Sequence, residues 1–366
     1  MDRKQARLPE TMNAVVAYAA ADYRLEERPT PLPEPGEIVI EVEAVGICAS
    51  DAKCYAGAPM FWGDGNQPAY VKAPVIPGHE FVGRVAALGE GVTDYQIGDR
   101  VLSEQIVPCR SCRYCGRGQY WMCEKHDIFG FQHYVNGAMA RYMKFPNNAI
   151  VHRVPDALTL EQAVLIEPYA CSLHAVQRAQ IRLGDTVVIA GAGTLGLGMV
   201  GAAKLSGPGK LVVLDMMDHR LEMAKAFGAD IVLNPGKTDV VAEVKALTDG
   251  YGCDIYIEAT GHPKAVEQGL SMIRKLGRFV EFSVFKEPVT VDWSIIGDRK
   301  ELDILGSHLG PYCYPIVIDA ILKGDLPTAG VVTHKLPLED FKQGFEMVKE
   351  GKHCLKVILV PSLETR

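Results

Sequence analysis

The sequence has no apolar run long enough to cross a membrane. Its hydrophobic stretches are strand-length and broken by glycine, whereas a spanning helix needs ~20 apolar residues. A positive charge balance is also missing. With a formal net charge of -7 and basic residues scattered along the chain, the clustered Lys and Arg that neutralise a phosphate backbone are absent, so nucleic acid is not an expected partner. No internal repeat or low-complexity tract stands out. The opening segment, Met1 to Met12, carries Arg3, Lys4 and Arg7, but no apolar stretch follows it. It reads as a short disordered tail rather than an export signal. The expectation is a soluble, cytoplasmic protein whose ten cysteines stay reduced instead of forming a disulfide framework.

What is present describes an ordinary globular enzyme: 48 % hydrophobic residues, 23 % charged residues and 36 glycines. A length of 366 residues exceeds what one hydrophobic core usually supports, so two domains are expected. From Ala14 to Val107 the chain reads as short strands separated by Gly- and Pro-rich turns: "NAVVAY", "EIVIEVEAVGIC", "FVGRVAALG" and "DRVL". Near Thr186 the texture changes. The strands "TVVIAG", "KLVVLD", "DIVLN", "CDIYIEATG", "RFVEFS" and "LDILGSHLG" alternate with helical stretches, the βαβ pattern of a parallel sheet. The first two are almost continuously apolar, as strands covered by helices on both faces must be, so this half is expected to be a doubly wound α/β sheet. "YPIVIDAILKG" and "LEDFKQGFEMVKEG" then look helical, and "CLKVILVP" looks like a closing strand.

Directly after "TVVIAG" comes Gly191-Ala192-Gly193-Thr194-Leu195-Gly196, leading into a helix rich in small residues. Glycines there permit a tight turn and close approach of a pyrophosphate, and the helix N-terminus offers N–H groups to its oxygens. The next strand ends in Asp215, 24 residues after Gly191, where a carboxylate accepts hydrogen bonds from the adenosine ribose and repels a 2′-phosphate. NAD rather than NADP is the expected cofactor. Arg220, five residues further on, is a candidate to flank the adenosine, with a solvated helix charge as the alternative. A second cluster is metal-like. Cys109, Cys112, Cys115 and Cys123 form C-x2-C-x2-C-x7-C, four thiolates that saturate a tetrahedral zinc and leave no open position, the mark of a structural site. An iron–sulfur cluster also takes four thiolates, but a surface loop of this kind suits zinc better. Tyr120 and Trp121 are expected to pack against this lobe.

Three further fragments, "GICASD" (46–51), "PGHEFVG" (77–83) and "EPYACSLHA" (167–175), occur in a fixed order with the cysteine lobe and the glycine loop. Together they resemble the zinc-containing medium-chain dehydrogenase family over essentially the whole chain. The resemblance implies a GroES-like catalytic domain from residues 1–170 and 312–366, carrying the structural zinc lobe at about 104–127, and an NAD-binding Rossmann domain at 171–311. It implies two zinc ions per chain, and Cys48, His79, Glu80 and Glu167 around the catalytic one. A thiolate, an imidazole and a carboxylate leave one zinc position open for the substrate oxygen. Zinc lowers the pKa of oxygen bound there from ~16 to ~7 in the case of water, so an alcohol can ionise and release a hydride. Sequence does not rank Glu80 against Glu167: one binds the metal, the other holds the bound water.

Ser50, two residues past Cys48, is placed to take the alcohol proton. Where the family often carries a histidine five residues after the cysteine, this chain has Lys53, which leaves the proton exit open among Lys53, Glu167 and water, with water favoured. Asp51 reads as a cap on a helix beginning at Ala52. Between Cys48 and His79 runs a long segment with Tyr55, Phe61, Trp62, Asp64, Asn66 and Gln67, suited to a small polyhydroxy substrate or else to an exposed loop. With "FWGD", "SEQIVPC", "TVDWSII" and "GSHLGPYCYP", the chain is similar to polyol-oxidising members acting on four-carbon polyols. That similarity implies oxidation of erythritol or L-threitol to erythrulose. The alternatives are a longer polyol (sorbitol, xylitol, ribitol) or L-threonine and, from another class, a catalytically silent NAD-binding protein. Relatives are commonly homo-oligomers, dimers or tetramers.

Overall fold

The computed structural model describes residues 8–363, and the chain divides into two compact units, 1–167 with 328–366, and 168–327. In the first unit the β-rich expectation becomes a seven-stranded sheet. Its order is Val332–Pro337, Lys356–Val360, Ile38–Gly46, Glu80–Leu88, Arg100–Ser103, Val151–Arg153, with Tyr142–Phe145 also pairing on Ile38–Gly46. Only the outermost pair, Val332–Pro337 with Lys356–Val360, is parallel; the remaining pairs are antiparallel. Ile38–Gly46 is almost entirely buried, and Val39, Ile40, Val45 and Val82 expose nothing, so the register of this central pair is set by burial on both faces. The closing strand sets Ile358 opposite Gly46 and Leu359 opposite Val45.

The second unit is a six-stranded, wholly parallel sheet ordered Ile231–Leu233, Lys210–Leu214, Thr186–Ala190, Cys253–Glu258, Ile273–Glu281, Asp303–Gly306. Numbered along the chain this is 3-2-1-4-5-6, the doubly wound Rossmann order, with its reversal between the first and fourth strands. Val187, Val188, Ile189, Leu211, Val212, Val213 and Ile257 are fully buried, which is why these strands lack alternation.

Three expectations need correction. Thr11–Ala19 is a strand paired with Asp22–Pro29, and Met12 is buried, so the tail ends before it; residues 1–7 lie outside the described residues. Thr328, not residue 312, opens the segment that returns to the first unit, because helix Tyr314–Lys323 buries Tyr314, Val317 and Ile321 within the second. The helix after Cys48 begins at Ala49 rather than Ala52. Among the described residues, no helix is long and apolar enough to cross a membrane.

Removing buried volume from the parallel sheet is expected to be costly. Ile189→Ala, at a side chain with no exposure, should lower the unfolding free energy of the second unit by about 2–5 kcal/mol, whereas Leu183→Ala, 92 % exposed, should stay within about 0.5 kcal/mol. Urea unfolding of the two variants beside the parent checks the contrast.

Candidate functional site

The antiparallel pairing of Ile38–Gly46 with Glu80–Leu88 sets Gly46 directly opposite Glu80. Cys48 therefore emerges two residues beyond one strand end and His79 one residue before the other, and the two meet at the same corner of the sheet. A side chain at position 46 is excluded: a Cβ there would lie 2.3 Å from Glu80 Oε2. The sulfur of Cys48, a ring nitrogen of His79 and a carboxylate oxygen of Glu80 all lie within 4.8 Å of one another, close enough to share one metal ion. His79 and Glu80 are buried; Cys48 is partly exposed.

Cys48 stands at the N-cap of helix Ala49–Tyr55, and its backbone N–H donates to Asp51 Oδ2 at 2.9 Å. The other oxygen of Asp51, itself 2 % exposed, lies 3.4 Å from His79 Nδ1. That separation is long for a hydrogen bond, and among the described residues neither buried atom has another partner. Asp51 is thus more than a helix cap. Burial opposes a charged imidazole at His79, but the Asp51 carboxylate and the adjacent Cys48 outweigh it and hold the ring well above its ordinary pKa. A metal dication held by the ring would meet this demand for positive charge. Ser50 Oγ lies 3.5 Å from His79 Nε2. A thiol, an imidazole and a carboxylate, with a buried acid behind the imidazole, fit zinc.

Glu80 and Glu167 separate here. Glu80 belongs to the close set, and its Oε2 also accepts from Lys356 Nζ at 2.5 Å, both groups being almost wholly buried. Lys356 donates further to Ile47 O at 3.3 Å. Burial pushes the ammonium pKa down, yet the charge of Glu80, with lesser contributions from Cys48 and Glu167, leaves it raised. Glu167, in the first turn of helix Ile166–Ala179, is 5 % exposed and lies outside the 4.8 Å set. Sequence reading missed Lys356; its signal was a lysine opening an otherwise apolar closing strand.

The long segment after Cys48 mostly builds walls. Tyr55 stacks on Phe345 with centroids 4.8 Å apart, and Phe61 stacks on Phe131 at 5.3 Å, whose ring packs against His79 at 5.5 Å. Trp62 Nε1 donates to Cys54 O at 2.8 Å. Asp64 accepts from the N–H groups of Asn66 and Gln67, so it shapes an exposed turn. Lys53 is partly buried one turn along the helix that begins after Cys48.

In the cysteine lobe the sulfurs of Cys109, Cys112, Cys115 and Cys123 all lie within 4.8 Å of one another. Backbone N–H groups point at them: Cys112 to Cys109 Sγ at 3.3 Å, Cys109 to Cys123 Sγ at 3.3 Å, and Glu124 to Cys112 Sγ at 3.5 Å. Donors from Ser111 and then Cys112 bring the Cys109 thiol down to about 6, while burial pushes Cys115 up to about 12. Four adjacent thiolates need a cation to coexist, and this set fits a closed zinc site. Tyr120 and Trp121 meet edge to face at 5.9 Å, and Tyr120 OH donates to Glu104 at 3.1 Å. Among the described residues none of the ten cysteines is in a disulfide.

In the second unit Gly191 has φ +104°, and a Cβ on Gly196 would sit 1.9 Å from Gly191 O, so the turn tolerates only glycine at both places. Around Gly193 there is open space, and helix Thr194–Leu205 starts after it, at Thr194 and Leu195, without a side-chain cap. The cradle fits a pyrophosphate. Asp215 accepts from Ala192 N–H and from Met217 N–H, each at 2.8 Å, so the acid pins the loop to the end of the neighbouring strand while keeping lone pairs for a ribose. Arg220 is partly buried at the start of helix Asp218–Ala226.

Comparison with known proteins agrees with this geometry. Residues 34–156 match the family described as "Alcohol dehydrogenase GroES-like domain" and residues 194–323 "Zinc-binding dehydrogenase". The chain is 53 % identical to an erythritol/L-threitol dehydrogenase of Mycolicibacterium smegmatis, over 97 % of this chain and 99 % of that one. It is 33 % identical to a sorbitol dehydrogenase of Bacillus subtilis, over 97 % and 99 %. The crystal structure of an alcohol dehydrogenase from E. coli CFT073 complexed with cofactor NADH, 30 % identical, superposes with a TM-score of 0.85 over 96 % of this chain and 100 % of that one. With two family models matching over most of its length and relatives that match it end to end, the chain belongs to the zinc-containing medium-chain dehydrogenase family.

Proposed function

We propose that this chain is a zinc- and NAD-dependent polyol dehydrogenase that oxidises a secondary hydroxyl of erythritol or L-threitol to give erythrulose. The observation that carries the reading is the convergence of Cys48, His79 and Glu80 within 4.8 Å, and the substrate follows from the relative with 53 % identity. Bound zinc supplies a Lewis acid for the substrate hydroxyl, and bound NAD an acceptor for the hydride. Cys48, His79 and Glu80 would hold the catalytic metal, and Glu167 would hold water beside it. Cys109, Cys112, Cys115 and Cys123 would hold the structural one. Asp51 orients the His79 ring. Ser50, beside His79 Nε2, takes the hydroxyl proton, which leaves through water because no histidine follows on the helix. Gly191, Gly193, Thr194, Leu195 and Gly196 would receive the pyrophosphate, Asp215 the ribose, and Arg220 flanks the adenosine. A longer polyol is the second reading, favoured by the sorbitol dehydrogenase relative.

We infer a cytoplasmic setting, in which thiols stay available to metal. A homo-oligomer is supported by the sheet edge Asp303–Gly306, where Ile304 is exposed and one side of the strand has no partner among the described residues.

NADH formation with erythritol, both threitols, ribitol, xylitol, sorbitol and threonine, with and without a zinc chelator, tests the reading. Chelator-sensitive activity peaking on a four-carbon polyol is expected; activity confined to longer polyols would discard the substrate, and silence on the whole panel would discard the activity. Cys48→Ser should abolish turnover while NAD still binds, and Asp51→Asn should weaken retention of the catalytic zinc by about 10–100-fold, read by transfer to a colorimetric chelator. Unchanged retention would remove Asp51 from the site. Asp215→Asn, which keeps an acceptor for one of the two backbone amides, should lower the NAD-over-NADP preference by about tenfold or more, since a charge-assisted hydrogen bond is worth ~1.5–3 kcal/mol. A cofactor ratio that does not move would place Asp215 away from the ribose.

A further inference from the structure

Strand Cys253–Glu258 is apolar apart from Asp254 near its start and Glu258 at its end. Ile255, Tyr256 and Ile257 are buried as a parallel sheet requires, yet Glu258, with no exposure, is buried as completely as they are. Nothing in the sheet's packing calls for an acid there. Its partners show what it does. Oε1 accepts from Thr260 N–H at 2.8 Å and from Gly261 N–H at 3.1 Å, Oε2 is 3.2 Å from the same Gly261 nitrogen, and the Thr260 hydroxyl donates to Oε1. One carboxylate thus gathers every donor of the two residues that follow Ala259.

That turn touches the cofactor loop. Glu258 lies opposite Ala190 in the sheet, and Ala259 N–H donates to Ala190 O at 2.9 Å. A Cβ on Gly191 would stand 2.7 Å from Ala259 O and 3.3 Å from Thr260 Cγ2, so residues 259–260 form the wall against which the first glycine of the loop is pressed. The neighbouring acid does not share this work. Glu281 sits at the same level on the next strand, but among the described residues its Oε1 has no hydrogen-bond partner.

We propose that Glu258 is a positioning residue for the dinucleotide: its carboxylate fixes the turn Ala259–Gly261, and that turn holds Gly191 where the loop can receive a pyrophosphate. The inference rests on the NAD reading given above and deepens it. Asp215 pins the loop from the second strand through Ala192, and Glu258 braces it from the fourth strand through Ala259 and Thr260, so the loop is gripped from both neighbours of the first strand.

The test uses the zinc-loaded full chain and NAD itself. Glu258→Gln should raise the NAD dissociation constant and the KM for NAD about tenfold, while zinc content and kcat at saturating NAD stay within about twofold. Thr260→Val, which keeps the side-chain bulk against Gly191 and removes one donor, should give a smaller loss of the same kind and carries the test if the Glu258 variant does not fold. Thr260→Ser, which keeps the hydroxyl but not the methyl group against Gly191, should bind NAD more tightly than Thr260→Val. Variants that bind NAD like the parent and lose only melting temperature would overturn the proposal, as would a loss in kcat with no change in KM. A parent chain that binds neither NAD nor NADP would overturn the cofactor reading and this inference with it.

Discussion

The chemistry of the first unit depends on one strand register. With Gly46 opposite Glu80, two residues past one strand and one residue before the other become neighbours, although 30 residues of segment separate Cys48 from His79 along the chain. A slip of one residue would turn Glu80 to the other face of the sheet and dissolve the site, and burial of both faces of Ile38–Gly46 is what makes such a slip costly. The missing side chain at Gly46 belongs to the same constraint, since only bare backbone leaves room for the Glu80 carboxylate to lie across it.

That register concentrates charge in a dry place. Asp51, Glu80 and Glu167 are each at most 5 % exposed, and Lys356 at 4 % is the ammonium set against them; a Cys48 thiolate adds one more negative group. Buried ions cost several kcal/mol each unless they are paired. One lysine leaves this set strongly negative, and a dication held by Cys48, His79 and Glu80 would remove most of the excess. The same reasoning holds in the cysteine lobe, where burial pushes the Cys115 thiol up to about 12 while donors bring Cys109 down to about 6, so these two sulfurs do not ionise together without a cation. Metal is therefore part of the electrostatic balance of this unit as well as of its chemistry.

What was legible in the sequence was local. The glycine loop, the acid 24 residues on and the four cysteines each lie within one short stretch or one βαβ unit, where spacing carries geometry directly. The six strands of the parallel sheet were legible because burial on both faces leaves continuous apolar runs. The candidate metal corner was reachable only through the resemblance of three separated fragments, since no local pattern says that Gly46 pairs with Glu80. Lys356 lies 276 residues from Glu80 and no spacing rule connects them. Asp51 is the helix cap that the sequence suggests, with one oxygen on the Cys48 amide, but only the fold shows its other oxygen facing His79. Tyr55 and Phe61 were equally ambiguous, since an aromatic ring suits a substrate wall and a core alike, and here each stacks on another ring of the core.

Asp51, Asp215 and Glu258 share one design. Each is an acid at the end or start of a regular element, and each accepts backbone N–H groups from residues two or three positions away: Cys48 for Asp51, Met217 for Asp215, Thr260 and Gly261 for Glu258. In each case a long-range contact then depends on the local bond, through His79, through Ala192 or through Gly191. A carboxylate is suited to this because it offers about four lone-pair sites in one plane, enough to hold its own turn and still reach across to another element. A hydroxyl or an amide has fewer acceptor sites and no charge, and charged hydrogen bonds are worth roughly twice neutral ones. Functional groups contributed by separate strands need placement finer than loop backbone gives unaided. Short-range carboxylate bonds at strand and helix ends are how this chain supplies it, which is why its buried acids gather where the elements stop rather than along their lengths.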